Sequence, residues 1–189
     1  MAENQKIQQI DCTKVPEPTL RRLPWYLSNV KLLKQRGERF VSSTQISKEI
    51  NIDASQIAKD LSYVNISGRT RVGYEVDALI EVLEHFLGFT EIHKAFLFGV
   101  GSLGGALLQD SGLKHFGLEI VAAFDVDPTL VGTNLNGIPI YHSDDFLKKM
   151  EEYDVQIGVL TVPIEIAQCI TDMMVDGGIK AVWNFTPFR

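Results

Sequence analysis

Six residues, Gly99-Val100-Gly101-Ser102-Leu103-Gly104, constrain the fold of this chain more than any other stretch. They spell G-x-G-x-x-G. Alone the pattern is weak. Here it follows the apolar run Lys94–Phe98 and precedes a helical run through Ala106–Leu108, where the mechanism of the motif needs it. Gly99 permits a tight turn, Gly101 lets a backbone approach a pyrophosphate, and Gly104 lets the helix pack closely on the sheet. The helix N-terminus then offers free N–H groups and the positive end of a dipole. Asp125 follows Gly104 by 21 residues, at the end of a second apolar run, Glu119–Phe124. A carboxylate there accepts hydrogen bonds from a ribose hydroxyl and repels a 2′-phosphate, which favours NAD(H) over NADP(H). Asp127 is the weaker candidate, because Pro128 turns the chain away. The plain alternative is a glycine-rich turn that binds nothing.

The rest of the second half keeps the same alternation. Ile138-Pro139-Ile140 reads as a short third strand, Val155–Leu160 as a fourth and Lys180–Phe185 as a fifth. Ser143 is placed to cap an acidic helix that buries Phe146, Leu147 and Met150. Pro163 opens a helix that runs through Met174 and closes at Gly177-Gly178. Strands alternating with helices imply a parallel sheet covered on both faces, an α/β fold of Rossmann type.

The first half follows another grammar. Leu27, Val30, Leu32 and Leu33 fall at helical spacing after Pro24, which is tolerated near a helix start, and Gly37 closes that helix. Ser42 with Gln45 is a capping box, and Asp53 with Gln56 repeats it eleven residues later. Ile46 and Ile50 give the first of these two helices an apolar side; Ile57, Leu61 and Val64 serve the second, over 54–64. Asn51 sits in the short turn between them. This is the outline of a helix-turn-helix. The stretch Asn65–Tyr74 then carries hairpin chemistry with Arg69 and Arg71 near its tip, the wing of a winged helix. The plain alternative is any small three-helix domain. Asp77 is placed to cap a further helix whose stripe, Leu79, Val82, Leu83, Phe86 and Leu87, connects the halves or meets a partner chain. The expected division is 1–88 and 89–189.

Charge follows the same division. The net charge is −6, but residues 1–88 carry 12 basic and 11 acidic side chains, and residues 89–189 carry 6 and 13. The window 14–74 holds 11 basic against 5 acidic residues, the layout of a nucleic-acid-binding module on an acidic protein, or of a solvated helical surface. Cys12 and Cys169 are too few for a disulfide framework or a cysteine-rich zinc site. The start Met1-Ala2-Glu3-Asn4-Gln5 is polar, with no secretory signal, and no apolar run approaches the roughly 18 residues of a membrane span. A cytoplasmic protein is expected. A dehydrogenase needs a proton-moving group beside the nicotinamide and a substrate domain. None of the histidines His85, His93, His115 and His142 follows a strand end, and the helical module occupies the space a substrate domain would need. No catalytic residue and no metal ligand is therefore assigned.

In combination the motifs resemble the Rex family of bacterial redox-sensing transcriptional repressors. The marks in the first half are Pro16–Pro24, Ser42-Ser43 and Val72-Gly73-Tyr74. In the second they are the Gly99–Gly104 turn, Ala122-Ala123-Phe124-Asp125, Gly132, Thr161-Val162-Pro163, Ala167-Gln168, Gly178-Ile179-Lys180 and Asn184-Phe185-Thr186-Pro187. The resemblance implies a winged helix followed by a Rossmann domain. It also implies a homodimer that binds operator DNA when NADH is scarce and releases it when NADH accumulates. The family continues beyond the position of Arg189 toward a helix swapped between subunits. The recognition helix here reads Gln56-Ile57-Ala58-Lys59-Asp60, with one basic residue where the family usually carries two, and Asp110 replaces a tyrosine linked to switching.

These readings give two sets of candidate residues. Toward operator DNA, Ser55, Gln56 and Lys59 are expected at base edges, and Arg21, Arg22, Ser43, Arg69 and Arg71, with Tyr74 at the base of the wing, at the backbone or the minor groove. Toward NADH and NAD⁺, Gly99, Val100, Gly101, Ser102, Leu103 and Gly104 are expected at the pyrophosphate and Asp125 with Val126 at the ribose. Thr161, Val162, Pro163, Asn184 and Phe185 are expected at the nicotinamide. A small NAD-dependent oxidoreductase or a CoA-type nucleotide-binding module is the alternative of another class.

Overall fold

The structure, a computed structural model, describes residues 15–187; Cys12 and the polar start lie outside them. The chain divides into two compact units that meet between Thr90 and Glu91.

The first unit is built on α1 (Glu17–Gln35), α2 (Ser43–Ile50), α3 (Ala54–Ser62) and α4 (Val76–Phe86), with a two-stranded ribbon of β1 (Phe40–Val41) and β2 (Tyr74–Glu75). α1 starts earlier than the apolar spacing suggests. Pro16 and Pro18 fix its first turn, and Pro24 lies inside it rather than at its start. A proline there costs one ladder hydrogen bond. Burial of Leu23, Tyr26, Leu27, Val30 and Leu33 along one face offsets it. The two caps form as their chemistry requires: Ser42 Oγ accepts from the Gln45 amide at 3.1 Å, and Asp53 Oδ1 from the Ser55 amide at 2.8 Å. Asn51 makes the turn between α2 and α3 in the left-handed region, at φ 55°.

The wing is smaller than a full hairpin. Val41 pairs with Tyr74 and Phe40 with Glu75, antiparallel, and Arg69 and Gly73 exchange backbone hydrogen bonds at 2.8 and 2.9 Å. Gly73 lies so close to β1 that a Cβ on it would stand 2.3 Å from the Val41 carbonyl oxygen. One further expectation is corrected. Asp77 sits in the first turn of α4 and is not its cap; Glu75 holds that position without a side-chain bond. Within the first unit the stripe of α4 is turned toward the core, and Val82, Phe86 and Leu87 keep part of their surface exposed. Leu79 and Leu83 are fully buried in the core of this unit, and Val82, Phe86 and Leu87 pack against the same core. Ion pairs from α1, Lys31 to Glu84 and Lys34 to Asp77, flank the seam.

The second unit is a six-stranded sheet in the order β5-β6-β4-β3-β7-β8. Its strands are β3 (His93–Phe98), β4 (Leu118–Asp125), β5 (Asn134–Leu135), β6 (Ile138–His142), β7 (Ile157–Leu160) and β8 (Ala181–Asn184). All pair in parallel except β5, an antiparallel edge strand too short and polar to be read from the sequence. The helices are α5 (Ser102–Gln109), α6 (Phe146–Glu152) and α7 (Ile164–Asp176). The two-residue period of β3 divides the core. Ala95 and Leu97 join Leu108 of α5 on one face, while Phe96 and Phe98 join Phe146 of α6 and Ala167 and Met174 of α7 on the other. Phe96 and Phe98 each pack on Phe124, with centroids 5.0 and 5.1 Å apart. α6 differs from expectation. Residues Ser143–Asp145 form a 3₁₀ turn whose cap is the His142 ring nitrogen, and Leu147 faces solvent, while Phe146 is buried.

Because Leu83 is fully buried in the core of its own unit, Leu83→Ala should destabilise that unit by about 2–5 kcal/mol. Hydrogen exchange should show α1 and α4 losing protection while β3 and β4 keep theirs, equally at low and high protein concentration. A loss that grows on dilution would place the stripe at an interface between chains.

Candidate functional site

The parallel strands deliver their C-terminal ends to one edge of the sheet, where α/β folds place ligands. The turn after β3 is tied on both sides. The Gly99 amide donates to the Phe124 carbonyl at 2.9 Å, and Thr161 Oγ1, at the end of β7, donates to the Gly99 carbonyl at 2.7 Å. Gly99 adopts φ +92°, and its missing Cβ would lie 2.9 Å from the Thr161 carbonyl. Asp125 ends β4 and closes the third side. Its Oδ2 accepts from the Val100 amide at 2.6 Å, and its Oδ1 from the amides of Val126 and Asp127 at 2.7 and 2.9 Å.

These elements enclose a cleft of about 550 Å³. Gly99, Gly101, Asp125, Val126, Thr161, Val162 and Pro163 line it as their sequence positions suggest. Phe98, Phe124, Ser143, Ile166 and Ile170 also line it, and sequence reasoning missed them. The aromatic pair ends two apolar runs and belongs to the core as well. The two isoleucines project from the first turns of α7, a placement that only the fold reveals. Val100 turns its side chain into the core, so only its backbone can face a ligand, whereas Ser102 and Leu103 are exposed. Asn184 and Phe185 do not line the cleft. Asn184 Oδ1 accepts from the Thr186 amide and hydroxyl at 2.8 and 2.6 Å, and Phe185 packs toward the α5 side of the sheet with Trp183.

The three glycines differ in what they serve. A Cβ on Gly104 would stand 2.0 Å from the Gly99 carbonyl oxygen, so glycine is a condition of the fold there. A Cβ on Gly101 would meet nothing within 4 Å at an ordinary φ of −72°. Packing does not demand that glycine, but the approach of a bulky anion does. No side chain caps α5, so its first amides remain for such an anion. The donor set therefore fits a dinucleotide: amides for the pyrophosphate, one carboxylate for a ribose, and apolar walls for rings.

In the first unit the expected contact residues separate into free and committed groups. Arg69 and Arg71 are exposed at the wing, with Arg71 held in the left-handed region at φ 65°. They border a groove of about 330 Å³ together with Ser43 and Tyr74. Tyr74 is buried, its ring lying under Gly68, so it supports the wing rather than reaching outward. Lys59 is exposed on α3; Ser55 is exposed with its hydroxyl donated to Asp53. Arg21 pairs with Glu17 on the surface of α1. Arg22 is largely committed, because its Nε and Nη2 grip the fully buried carboxylate of Asp60 at 2.6 and 2.9 Å. Tyr26, Thr19 and Gln56 donate to the same carboxylate at 2.6, 2.9 and 2.8 Å. Burial alone would raise the Asp60 pKa, but these bonds outweigh it and hold the carboxyl below its usual range. The same contact raises Arg22 further, chiefly through the hydrogen bond to Asp60, and burial raises the Tyr26 phenol.

Residues 14–62 match the family described as putative DNA-binding protein N-terminus, and residues 90–188 match the CoA binding domain family. The redox-sensing transcriptional repressor Rex of Bacteroides fragilis is 87% identical over 189 residues, which span all of this chain and 86% of that protein. The Rex protein of Porphyromonas gingivalis is 63% identical over 177 residues, 94% of this chain and 81% of that one. Among solved structures, RSP in complex with β-NAD⁺ and operator DNA superposes with a TM-score of 0.88 at 29% identity, covering 93% of this chain and 81% of that chain. RSP in complex with β-NADH gives 0.85 at 30% identity, covering 93% and 82%.

Two outcomes follow from the geometry. Without nucleotide, Gly101→Ala should change stability by less than about 1 kcal/mol, while Gly104→Ala should cost about 3 kcal/mol or more through forced displacement of the turn; thermal melts of the two variants compare them directly. The ionised form of Asp60 is favoured by folding, so its contribution is complete above the unfolded carboxyl pKa of about 4 and disappears as pH falls through the lower folded value. Melting temperatures followed from pH 5 to pH 2 should therefore drop less steeply for Asp60→Asn than for the unmodified protein.

Proposed function

The chain belongs to the Rex family of redox-sensing transcriptional repressors, and we propose that its first unit holds operator DNA, its second unit binds NADH or NAD⁺ in the cleft beside Gly99–Gly104, and NADH releases the DNA. The observation that carries this reading is the charge pattern of the cleft. Asp125 is the single ionisable side chain among the described lining residues, and it sits at the ribose end. The end formed by Thr161-Val162-Pro163 has no carboxylate.

NAD⁺ and NADH share adenine, riboses and pyrophosphate, so the turn and Asp125 grip both about equally. A ligand with equal affinity for two conformations shifts neither. Discrimination therefore arises where the nicotinamide ring lies, cationic when oxidised and neutral when reduced. Apolar walls desolvate an unpaired cation at a cost that a neutral ring avoids. The group supplies no chemistry here beyond that change of charge; the protein binds, compares and reports. The CoA-type alternative rests on the family match over residues 90–188. Asp125 opposes a phosphate on the adenosine ribose, which favours NAD(H).

On the DNA side, α3 enters the major groove with Ser55, Gln56 and Lys59 in its first turns. Arg69 and Arg71 hold phosphates or the minor groove, and Arg21 and Ser43 add backbone contacts. Arg22, with two of its five N–H donors given to Asp60, adds a contact only through the remaining ones. Two such units in a homodimer read two half-sites and gain from effective concentration. The protein acts in the cytoplasm, where the operator and the NAD(H) pool meet.

NADH should bind at least about tenfold more tightly than NAD⁺, a difference of about 1.4 kcal/mol. Val162→Asp should narrow that gap by favouring the cation, while Asp125→Ala should weaken both forms in parallel; calorimetric titrations of the three proteins measure all six affinities. Equal affinities in the unmodified protein contradict the sensing mechanism. Replacing Arg69 and Arg71 by Ala should weaken binding to every duplex and flatten the dependence of log K on log salt by about one unit per lost phosphate contact. An unchanged slope removes the wing from the interface.

A further inference from the structure

Asp60 lies on the helix that the proposed function puts in the major groove, yet its carboxylate faces inward and is fully buried. Oδ2 accepts from Arg22 Nε and Tyr26 Oη, both at 2.6 Å. Oδ1 accepts from Thr19 Oγ1 at 2.9 Å, Arg22 Nη2 at 2.9 Å and Gln56 Nε2 at 2.8 Å. Four of the five donor atoms come from α1, and the fifth comes from α3 itself, one turn before Asp60. That fifth donor, Gln56, occupies the third position of α3, where side chains of a recognition helix reach base edges.

An ionised carboxylate is an acceptor only. It can hold the Gln56 carboxamide by its nitrogen and not by its oxygen. The orientation of a glutamine amide is ordinarily open to inversion. Here inversion would press Oε1 against Oδ1 of Asp60 and lose a charge-assisted bond. The amide is therefore polarised in one sense: nitrogen toward Asp60, oxygen toward the outside.

We propose that Asp60 is a positioning residue for base recognition: by holding Gln56 Nε2 it leaves Oε1 as the group offered to the major groove, so that the protein selects adenine or cytosine at the base Gln56 faces. Both carry an exocyclic amino donor on that edge, at N6 or N4, whereas guanine and thymine present O6 and O4 acceptors there. The proposal rests on the reading that α3 lies in the major groove. Asp60 touches no base; it acts through the amide that it holds.

The test uses the full chain and operator duplexes that it selects from a randomised pool. At one position in each half-site, adenine or cytosine should be preferred over guanine or thymine by about tenfold, as expected for one good side-chain contact. Gln56→Ala should erase the preference at that position alone. Asp60→Asn offers Gln56 either an oxygen or an amide nitrogen, so both orientations become available. Discrimination at that position should fall to about threefold or less, with the salt dependence unchanged. Should Asp60→Asn fail to fold, the unmodified protein is tested on a duplex in which purine replaces the adenine, or pyrimidin-2-one the cytosine. Loss of the amino group should weaken binding about tenfold for the unmodified protein and not at all for Gln56→Ala. Guanine or thymine at the Gln56-dependent position, full discrimination retained by Asp60→Asn, or indifference to the amino group would overturn the proposal. No change at any base for Gln56→Ala would overturn it too, and with it the placement of α3 in the groove.

Discussion

The second unit is organised around a contact between two pieces of backbone. The turn after β3 folds back until Gly104 stands where a Cβ would lie 2.0 Å from the Gly99 carbonyl oxygen. Thr161 reaches from the end of β7 to donate to that same carbonyl. This crowding draws β3 and β7 together at their C-terminal ends, with β4 held on the other side by the bond from the Gly99 amide to the Phe124 carbonyl. Asp125 then falls beside the turn, and Val162 and Pro163 fall opposite. The cleft is a consequence of the contact. Any side chain at Gly104 would push the turn from the sheet and open the site that the turn defines.

The first unit relies on a buried charge. Ion pairs taken out of water often cost as much as they return, so Asp60 and Arg22 are a poor source of stability by themselves. Their value lies in geometry. A carboxylate that accepts five hydrogen bonds has no freedom left, and it fixes α3 against α1 as well as the amide of Gln56. Arg22 illustrates the exchange. Counted from the sequence it is one more cation for DNA, but in the fold two of its five N–H donors grip Asp60, whereas Lys59, Arg69 and Arg71 are exposed.

Local chemistry was legible and distant pairing was not. The glycine turn, the caps at Ser42 and Asp53, and Asp125 at its strand end each act within a few residues, or within one βαβ unit of known spacing. They could be read directly. Asp60 is bonded to residues 34 to 41 positions away, and no spacing rule connects them. The α4 stripe announced that it would be buried but not against what; α1 supplied the answer. Pro24 misled because its cost is local and visible, while the burial that offsets it is not. Ile166 and Ile170 escaped notice because an apolar residue on a helix reads as core until the fold shows a cleft beside it.

The two units become a sensor only if the cleft and the DNA face are energetically coupled, and coupling of binding equilibria is reciprocal. The most direct measurement is the affinity for operator DNA with saturating NADH and with saturating NAD⁺, set beside the NADH and NAD⁺ affinities of the free and the DNA-bound protein. NADH should lower DNA affinity severalfold relative to NAD⁺, and DNA should lower NADH affinity relative to NAD⁺ affinity by the same factor. DNA affinities that are identical with the two nucleotides would contradict it, even if each ligand bound well on its own.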